Sequence, residues 1–155
     1  AKTSIPQGSL SSFANYVAGL MPTQKEVDAI AQAFRELAEK EETDVYHCTQ
    51  LYGIGGSIRS AAKLYGDLCN NGNRFNYLLP EHIDAILNRY AEDPNDFAHE
   101  ALRTLPDRIH TLIPGCVIIR EAFKLCGGER LDICKYGVRE GYLAERVLVK
   151  PVSFA

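Results

Sequence analysis

What this chain lacks narrows its class before any motif is read. It has no apolar run near the roughly 20 residues that span a bilayer; the longest, such as Gly115 to Ile119, stops far short. It has no excess of basic charge: 17 Lys and Arg stand against 20 Asp and Glu, a net charge of −3. A nonspecific DNA or RNA binder carries a basic footprint instead, so nucleic acid is not an expected partner. The N-terminus shows no charged-then-apolar signal pattern. No pair of its five cysteines, Cys48, Cys69, Cys116, Cys126 and Cys134, is spaced C-x-x-C, and their number is odd. A secreted disulfide framework would look different, so the cysteines read as small buried hydrophobes of a cytoplasmic protein. Internal repeats and low-complexity tracts are also missing. What is present is an ordinary globular mixture, 46% apolar and 24% charged over 155 residues, which predicts a single domain-sized unit.

The pattern is mostly helical. Ser9 to Leu20 reads as a short helix with Ser9 as its N-cap. Thr23-Gln24-Lys25-Glu26 is a capping box, and apolar residues then recur at Val27, Ile30, Ala31, Phe34, Leu37 and Ala38, one helix face. Asp44 to Tyr52, rich in β-branched and aromatic residues, reads as a strand. It runs into Gly53-Ile54-Gly55-Gly56-Ser57 and then a helix to Leu68. Asn70 to Asn73 is a loop. Pro80 opens another helix, Asp93 to Asp96 breaks it, and Phe97 to Leu105 is a short helix. Pro106 starts the next, and Pro114 predicts two pieces meeting near Ile113. Val117 to Cys126 should be the most buried helix, stopped by Gly127-Gly128. Arg130 to Tyr136 alternates as a second strand, and Gly137 leads to a final helix over 138–148.

Two strands that each feed a helix through glycine imply a parallel pair. Two are too few for a parallel sheet, whose strands are normally flanked by others. The arithmetic therefore predicts part of a larger α/β domain, with strand edges left open or covered by a second copy in a homodimer.

The sharpest chemical signal is Gly53-Ile54-Gly55-Gly56-Ser57-Ile58-Arg59. Glycines at a strand-to-helix junction let backbone N–H groups and the positive end of a helix approach an anion. The loop is neither G-x-G-x-x-G, nor a Walker loop, nor a G-x-S-x-G elbow. A phosphate cradle and a simple tight turn both fit. Arg108, at a helix start, and Arg139, in Gly137-Val138-Arg139-Glu140-Gly141, could pair with phosphate oxygens or form buried ion pairs with a carboxylate such as Glu140. His99-Glu100 continues to Arg103 rather than His, so the zinc-protease pattern is absent; His47 and Cys48, adjacent in the expected strand, point to opposite faces; and His82 and His110 have no ligand-spaced partners, so no metal site is expected within the chain.

Four stretches, in order and spacing, resemble the Ppx/GppA family of exopolyphosphatases and guanosine pentaphosphate phosphatases. They are Ser4-Ile5-Pro6-Gln7-Gly8-Ser9-Leu10 with Pro22-Thr23; Gly53-Ile54-Gly55-Gly56-Ser57-Ile58-Arg59-Ser60-Ala61; Leu105-Pro106-Asp107-Arg108 with Ile113-Pro114-Gly115; and Glu129-Arg130-Leu131 through Gly137-Val138-Arg139-Glu140-Gly141-Tyr142-Leu143. Departures are Ser57 for Thr, Asp107 for Glu, and Lys135-Tyr136 where Ser-Asp is usual. The resemblance implies a ribonuclease H-like domain of the acetate kinase/Hsp70/actin type. This chain would be the later portion of the second of two such domains, with two parallel strands and six to seven helices. It implies release of terminal phosphate from polyphosphate or pppGpp, with Mg2+ offsetting charge and bound mainly outside this chain. Gly53, Gly55, Gly56, Ser57, Arg59 and Arg108 would line the phosphate or nucleotide side of the interdomain cleft. Arg139, Glu140 and Gly141 would hold the final helix near it. The catalytic glutamate and the main phosphate loop would lie in the missing part, so the chain alone would be inactive. Alternatives are an inactive nucleotide-sensing or scaffold module and an ATP-binding kinase of the same superfold.

Overall fold

The computed structural model describes residues 4–41 and 47–148. Its elements run α1 (Ser9–Tyr16), α2 (Gln24–Lys40), β1 (Gln50–Gly53), α3 (Gly56–Cys69), β2 (Tyr77–Leu78), α4 (Pro80–Glu92), α5 (Pro94–Thr104), a 3-10 turn (Pro106–Arg108), α6 (Ile109–Cys126), β3 (Arg130–Ile133) and α7 (Val138–Leu143), which runs on as a π turn (Ala144–Leu148).

Helix α6 is the axis of the fold. It packs against α1, α2, α3 and α4 and buries Ile109, Leu112, Ile113, Cys116, Val117, Ile119 and Phe123. This is the helix for which the sequence predicts a break at Pro114, and it does not break. Proline inside a helix removes one backbone hydrogen bond and costs about 3 kcal/mol. Each fully buried Ile or Val side chain contributes about 1.5–3 kcal/mol, so packing on several sides of α6 outweighs one lost bond. Gly127 ends the helix in the left-handed region, φ 64°, as the paired glycines predict.

The sheet has the order β1-β3-β2. β1 and β3 are parallel, with Gln50 opposite Arg130 and Gly53 opposite Ile133. The expected parallel pair is thus present. The expected count of two strands is corrected: β2 lies antiparallel on the far side of β3, Leu78 opposite Leu131. A two-residue strand is too short to show alternation, so no sequence period announces it. It also covers one of the edges expected to be open.

Several boundaries move. Strand β1 starts at Gln50 rather than Asp44; of the expected stretch, residues 44–46 lie outside the described residues. His47 to Thr49 form no ladder, because the Thr49 carbonyl accepts from both Glu129 and Arg130 N–H. Strand β3 stops at Ile133, and the Cys134 N–H still donates across to the Gly53 carbonyl of β1 at 2.9 Å. Helix α1 ends at Tyr16, and its N-cap is Gly8, whose N–H donates to Ser11 Oγ at 2.9 Å. Ser9 is therefore its first helical residue. Helix α5 begins at Pro94 because the Asp93 side chain accepts from both Asn95 and Asp96 N–H. The capping box at Thr23 and Glu26 forms as expected.

Candidate functional site

β1 delivers the chain to Gly53, which is buried. A Cβ there would meet Leu131 Cδ2 at 2.6 Å and Ile58 Cδ1 at 2.7 Å. Gly53 is a glycine because the side chains of Leu131 and Ile58 close over its α-carbon. Gly55 differs: its φ is +133°, and a Cβ there would meet nothing within 4 Å. The left-handed region requires glycine, and the space beyond it is open.

Gly55 is also the N-cap of α3. It offers no side chain to the helix, and the first turn contains no acidic residue. The leading N–H groups of a helix have no intrahelical partner and carry its positive dipole end. At this end the protein supplies a cation instead of a capping anion. A Cβ on Gly56 would lie 2.6 Å from Arg108 Nη2 and 2.7 Å from Nη1. The guanidinium of Arg108, from the 3-10 turn before α6, thus fills the place that a side chain at residue 56 would take. No carboxylate bonds it among the described residues.

Ser57 continues the site. Its hydroxyl lies 3.1 Å from that of Ser9, at the start of α1. A Cβ on Gly115 would sit 3.3 Å from Ser57 Cβ and 3.6 Å from Ser9 Cβ, so α6 approaches both serines through its glycine. Beside the loop is a groove of about 290 Å3, floored by Ile118, Ile119, Ala122 and Leu131 and rimmed by Ser9 and Gly55 to Ile58. Its floor is apolar. Ser9 and Ser57 bring two hydroxyls to the lining, and the Arg108 guanidinium, which is not part of the lining, lies against Gly56.

The structure thus brings Gly55, Gly56, Ser57 and Arg108 together and leaves others apart. Arg59 is exposed on α3 and faces away from the groove, in the field of Glu140. Arg139, Glu140 and Gly141 are exposed, and α7 buries none of its residues. The expectation that Arg139 and Glu140 hold this helix against the sheet is corrected. Glu140 instead accepts the Gly137 N–H at 2.8 Å and caps its own helix. Its own backbone N–H first, and the Gly137 N–H second, hold its carboxyl below the usual range. Sequence reasoning missed the Ser9–Ser57 pair. The only signal for it was Pro114-Gly115, and the expected break there concealed a close helix approach.

No carboxylate lines the groove, and the described residues contain no group of three or more His, Cys, Asp or Glu that could hold a metal ion. They do not fit Mg2+. Among the described residues no helix is long and apolar enough to cross a membrane.

Crystal structures of a Ppx/GppA protein from Aquifex aeolicus superpose on this chain with a TM-score of 0.69. The fold is that of the Ppx/GppA proteins. One structure, of the Aquifex aeolicus family member, is 23% identical and matches 92% of this chain and 47% of its own. A second, described as the type II variant of the Aquifex aeolicus Ppx/GppA phosphatase, is 22% identical, with 92% and 48% covered. A third, of the PPX-GPPA enzyme of the same organism, covers 91% and 48%. No family model matches the chain, and no curated protein matches it by sequence. The Ppx/GppA fold belongs to the ribonuclease H-like, actin-type superfold, and the expected fold class holds. The chain spans about half the length of the Ppx/GppA structures it matches.

Proposed function

We propose that this chain is part of a Ppx/GppA phosphohydrolase and supplies one wall of its phosphate site. The observation that carries the reading is the Arg108 guanidinium seated on Gly56 at the uncapped N-terminus of α3. A helix end and an arginine fork, both unneutralised by a carboxylate, suit the oxygens of a phosphate chain. The matched fold supports the same reading, since solved proteins of that fold are described as Ppx/GppA phosphatases.

The substrate class proposed is inorganic polyphosphate or pppGpp, cleaved at the terminal phosphoryl group in a cytoplasmic enzyme. Gly55 and Gly56 present N–H groups, the Ser57 hydroxyl donates one further bond, and Arg108 offsets oxygen charge. Among the described residues no general base lies in the groove. The partner proposed is therefore a second domain that brings a carboxylate across the cleft, with Mg2+ bound on that side. The 155-residue chain alone is expected to bind sodium tripolyphosphate but not to hydrolyse it. Titration calorimetry with the chain and with Arg108→Ala tests the binding. A metal-dependent release of phosphate by the purified chain would show that the chemistry does not need a second domain. Equal affinity of the chain and of Arg108→Ala would remove Arg108 from the site.

A further inference from the structure

On a different face of α3 from the glycine loop is a cavity of about 630 Å3, a size typical of small-ligand sites. Four cationic side chains line it, Arg59, Lys63, Arg74 and Lys135, against one carboxylate, Asp67. In a chain of net charge −3 this is a marked local reversal of sign. The ion pairs of the described residues employ none of these four cations. Lys63 donates to the Thr104 carbonyl at 2.8 Å, and Arg59 feels Glu140.

The wall opposite α3 is built rather than loose. The chain after α3 folds back so closely that a Cβ on Gly66 would lie 2.1 Å from the Asn73 carbonyl oxygen. Gly72 N–H donates to the Gly66 carbonyl at 2.7 Å, and Ile133 N–H donates to the Asn76 carbonyl at 2.8 Å. These bonds tie the loop that carries Arg74 to α3 on one side and to the end of β3, which leads to Lys135, on the other. Phe75 in the same loop is anchored in a ring cluster with Tyr65 and His82.

We propose that this cavity is a second phosphate subsite, selective for oligophosphate anions. Two guanidinium forks match phosphate oxygens in pairs, and the two lysines add point charge. Its shape, a half-open cleft between α3 and the returning loop with all four cations exposed to solvent, suits a short flexible anion. Arg59 stands three residues along α3 from Gly56, about 4.5 Å along the helix axis. A phosphate chain whose end lies in the glycine loop could therefore continue into this cavity. The proposal rests on the phosphate reading of the glycine loop only for that continuity; the cavity stands on its own charges.

The test is calorimetric titration of sodium tripolyphosphate and of long-chain polyphosphate into the 155-residue chain, Arg108→Ala, and the doubly substituted Arg74→Glu, Lys135→Glu chain. Circular dichroism checks that each is folded. Two tripolyphosphates per chain are expected, and one remains in each variant. The site lost in the double variant is expected to weaken at least about tenfold, the loss that follows from removing charged hydrogen bonds. Long polyphosphate that binds far more tightly than tripolyphosphate, and weakens in either variant, identifies the ligand as one chain spanning both sites. Equal behaviour of the two polymers identifies a separate small oligophosphate. Tripolyphosphate binding unchanged in the double variant overturns the proposal, and if Arg108→Ala alone abolishes binding, the glycine-loop reading survives without it. If the double variant alone abolishes binding, the cavity is the site and the glycine-loop reading fails.

Discussion

The guanidinium of Arg108 occupies the space that a Cβ on Gly56 would need, with Nη2 only 2.6 Å from that position. The two residues are 52 positions apart in sequence. The clash partner is the far end of a flexible side chain, so it can swing away cheaply. Gly56 also lies in the first turn of α3, where replacing glycine by alanine lowers the entropy cost of folding by about 0.5–1 kcal/mol. Gly56→Ala is therefore expected to keep or raise the melting temperature while weakening tripolyphosphate binding about as much as Arg108→Ala does. One preparation measured by thermal melting and calorimetry checks both. A lower melting temperature with unchanged affinity would mean that the glycine serves the turn alone.

Gly66 gives the opposite expectation. The atom 2.1 Å from its would-be Cβ is a backbone oxygen, that of Asn73, and it cannot rotate away. Gly66→Ala must push the loop off α3. The expected cost is about 2–3 kcal/mol, in the range of other overpacking changes. For a chain of this length that lowers the melting temperature by roughly 4–12 °C. The same variant should lose the second tripolyphosphate, since the displaced loop carries Arg74.

Glu121 is the buried carboxylate of α6, 1% exposed, and it bonds Arg35 Nη1 at 2.8 Å and Lys124 Nζ at 2.9 Å. Burial pushes its carboxyl up, but the two cations outweigh burial and hold it below the ordinary value. The Arg35 and Lys124 side chains are 54% and 60% exposed, so water screens both pairs. A double-mutant cycle of Glu121→Gln with Arg35→Ala is expected to return a coupling of about 1 kcal/mol in urea unfolding. A coupling near zero would show that Lys124, with Arg120 Nε 3.5 Å from the carboxylate, satisfies it without Arg35.

His82 supplies a pH dependence. It is buried at the start of α4, stacked on Tyr65 with ring centroids 4.1 Å apart, and its Nδ1 accepts the Leu79 N–H at 3.3 Å. Burial lowers its pKa from the usual 6.5. The unfolded chain therefore binds a proton more readily than the folded one. Its contribution is complete above about pH 6.5 and is lost as pH falls below that value toward the folded pKa. Melting temperatures measured from pH 7.5 to 5 should fall more steeply for the parent chain than for His82→Phe. Parallel profiles would remove His82 as the cause.

The legible parts of this protein are those governed by local chemistry. Thr23 and Glu26 announce a capping box because both partners sit within one turn. Gly127 announces a helix end because only its backbone accepts a positive φ cheaply. The β1–α3 junction was legible because a strand, glycines and a helix follow one another directly. Phosphate chemistry could be suspected there, but Gly53, Gly55 and Gly56 look alike as letters. Their roles separate only in space: Gly53 is closed over by Leu131 and Ile58, Gly55 opens outward, and Gly56 receives Arg108.

By itself, the sequence determined the helix-rich α/β class, the parallel pairing of β1 with β3, and the glycine junction as the place to look, since propensity, capping and order along the chain act between near neighbours. Tertiary structure decided that α6 runs unbroken through Pro114, because packing against four helices exceeds the cost of one hydrogen bond. It decided that Tyr77–Leu78 form a third strand, because two residues carry no period and only an available edge makes them one. It decided that Arg108 joins Gly56 and that Ser9 joins Ser57, because those contacts depend on which helix faces meet. It also gathered Arg59 and Lys63 of α3, Arg74 of the loop after it and Lys135 beyond β3 around one cavity, from three places in the chain. Arg59 and Lys63 share one face of α3, but nothing local joins them to Arg74 and Lys135, and the mutual repulsion of the four becomes a site only when the fold holds them there.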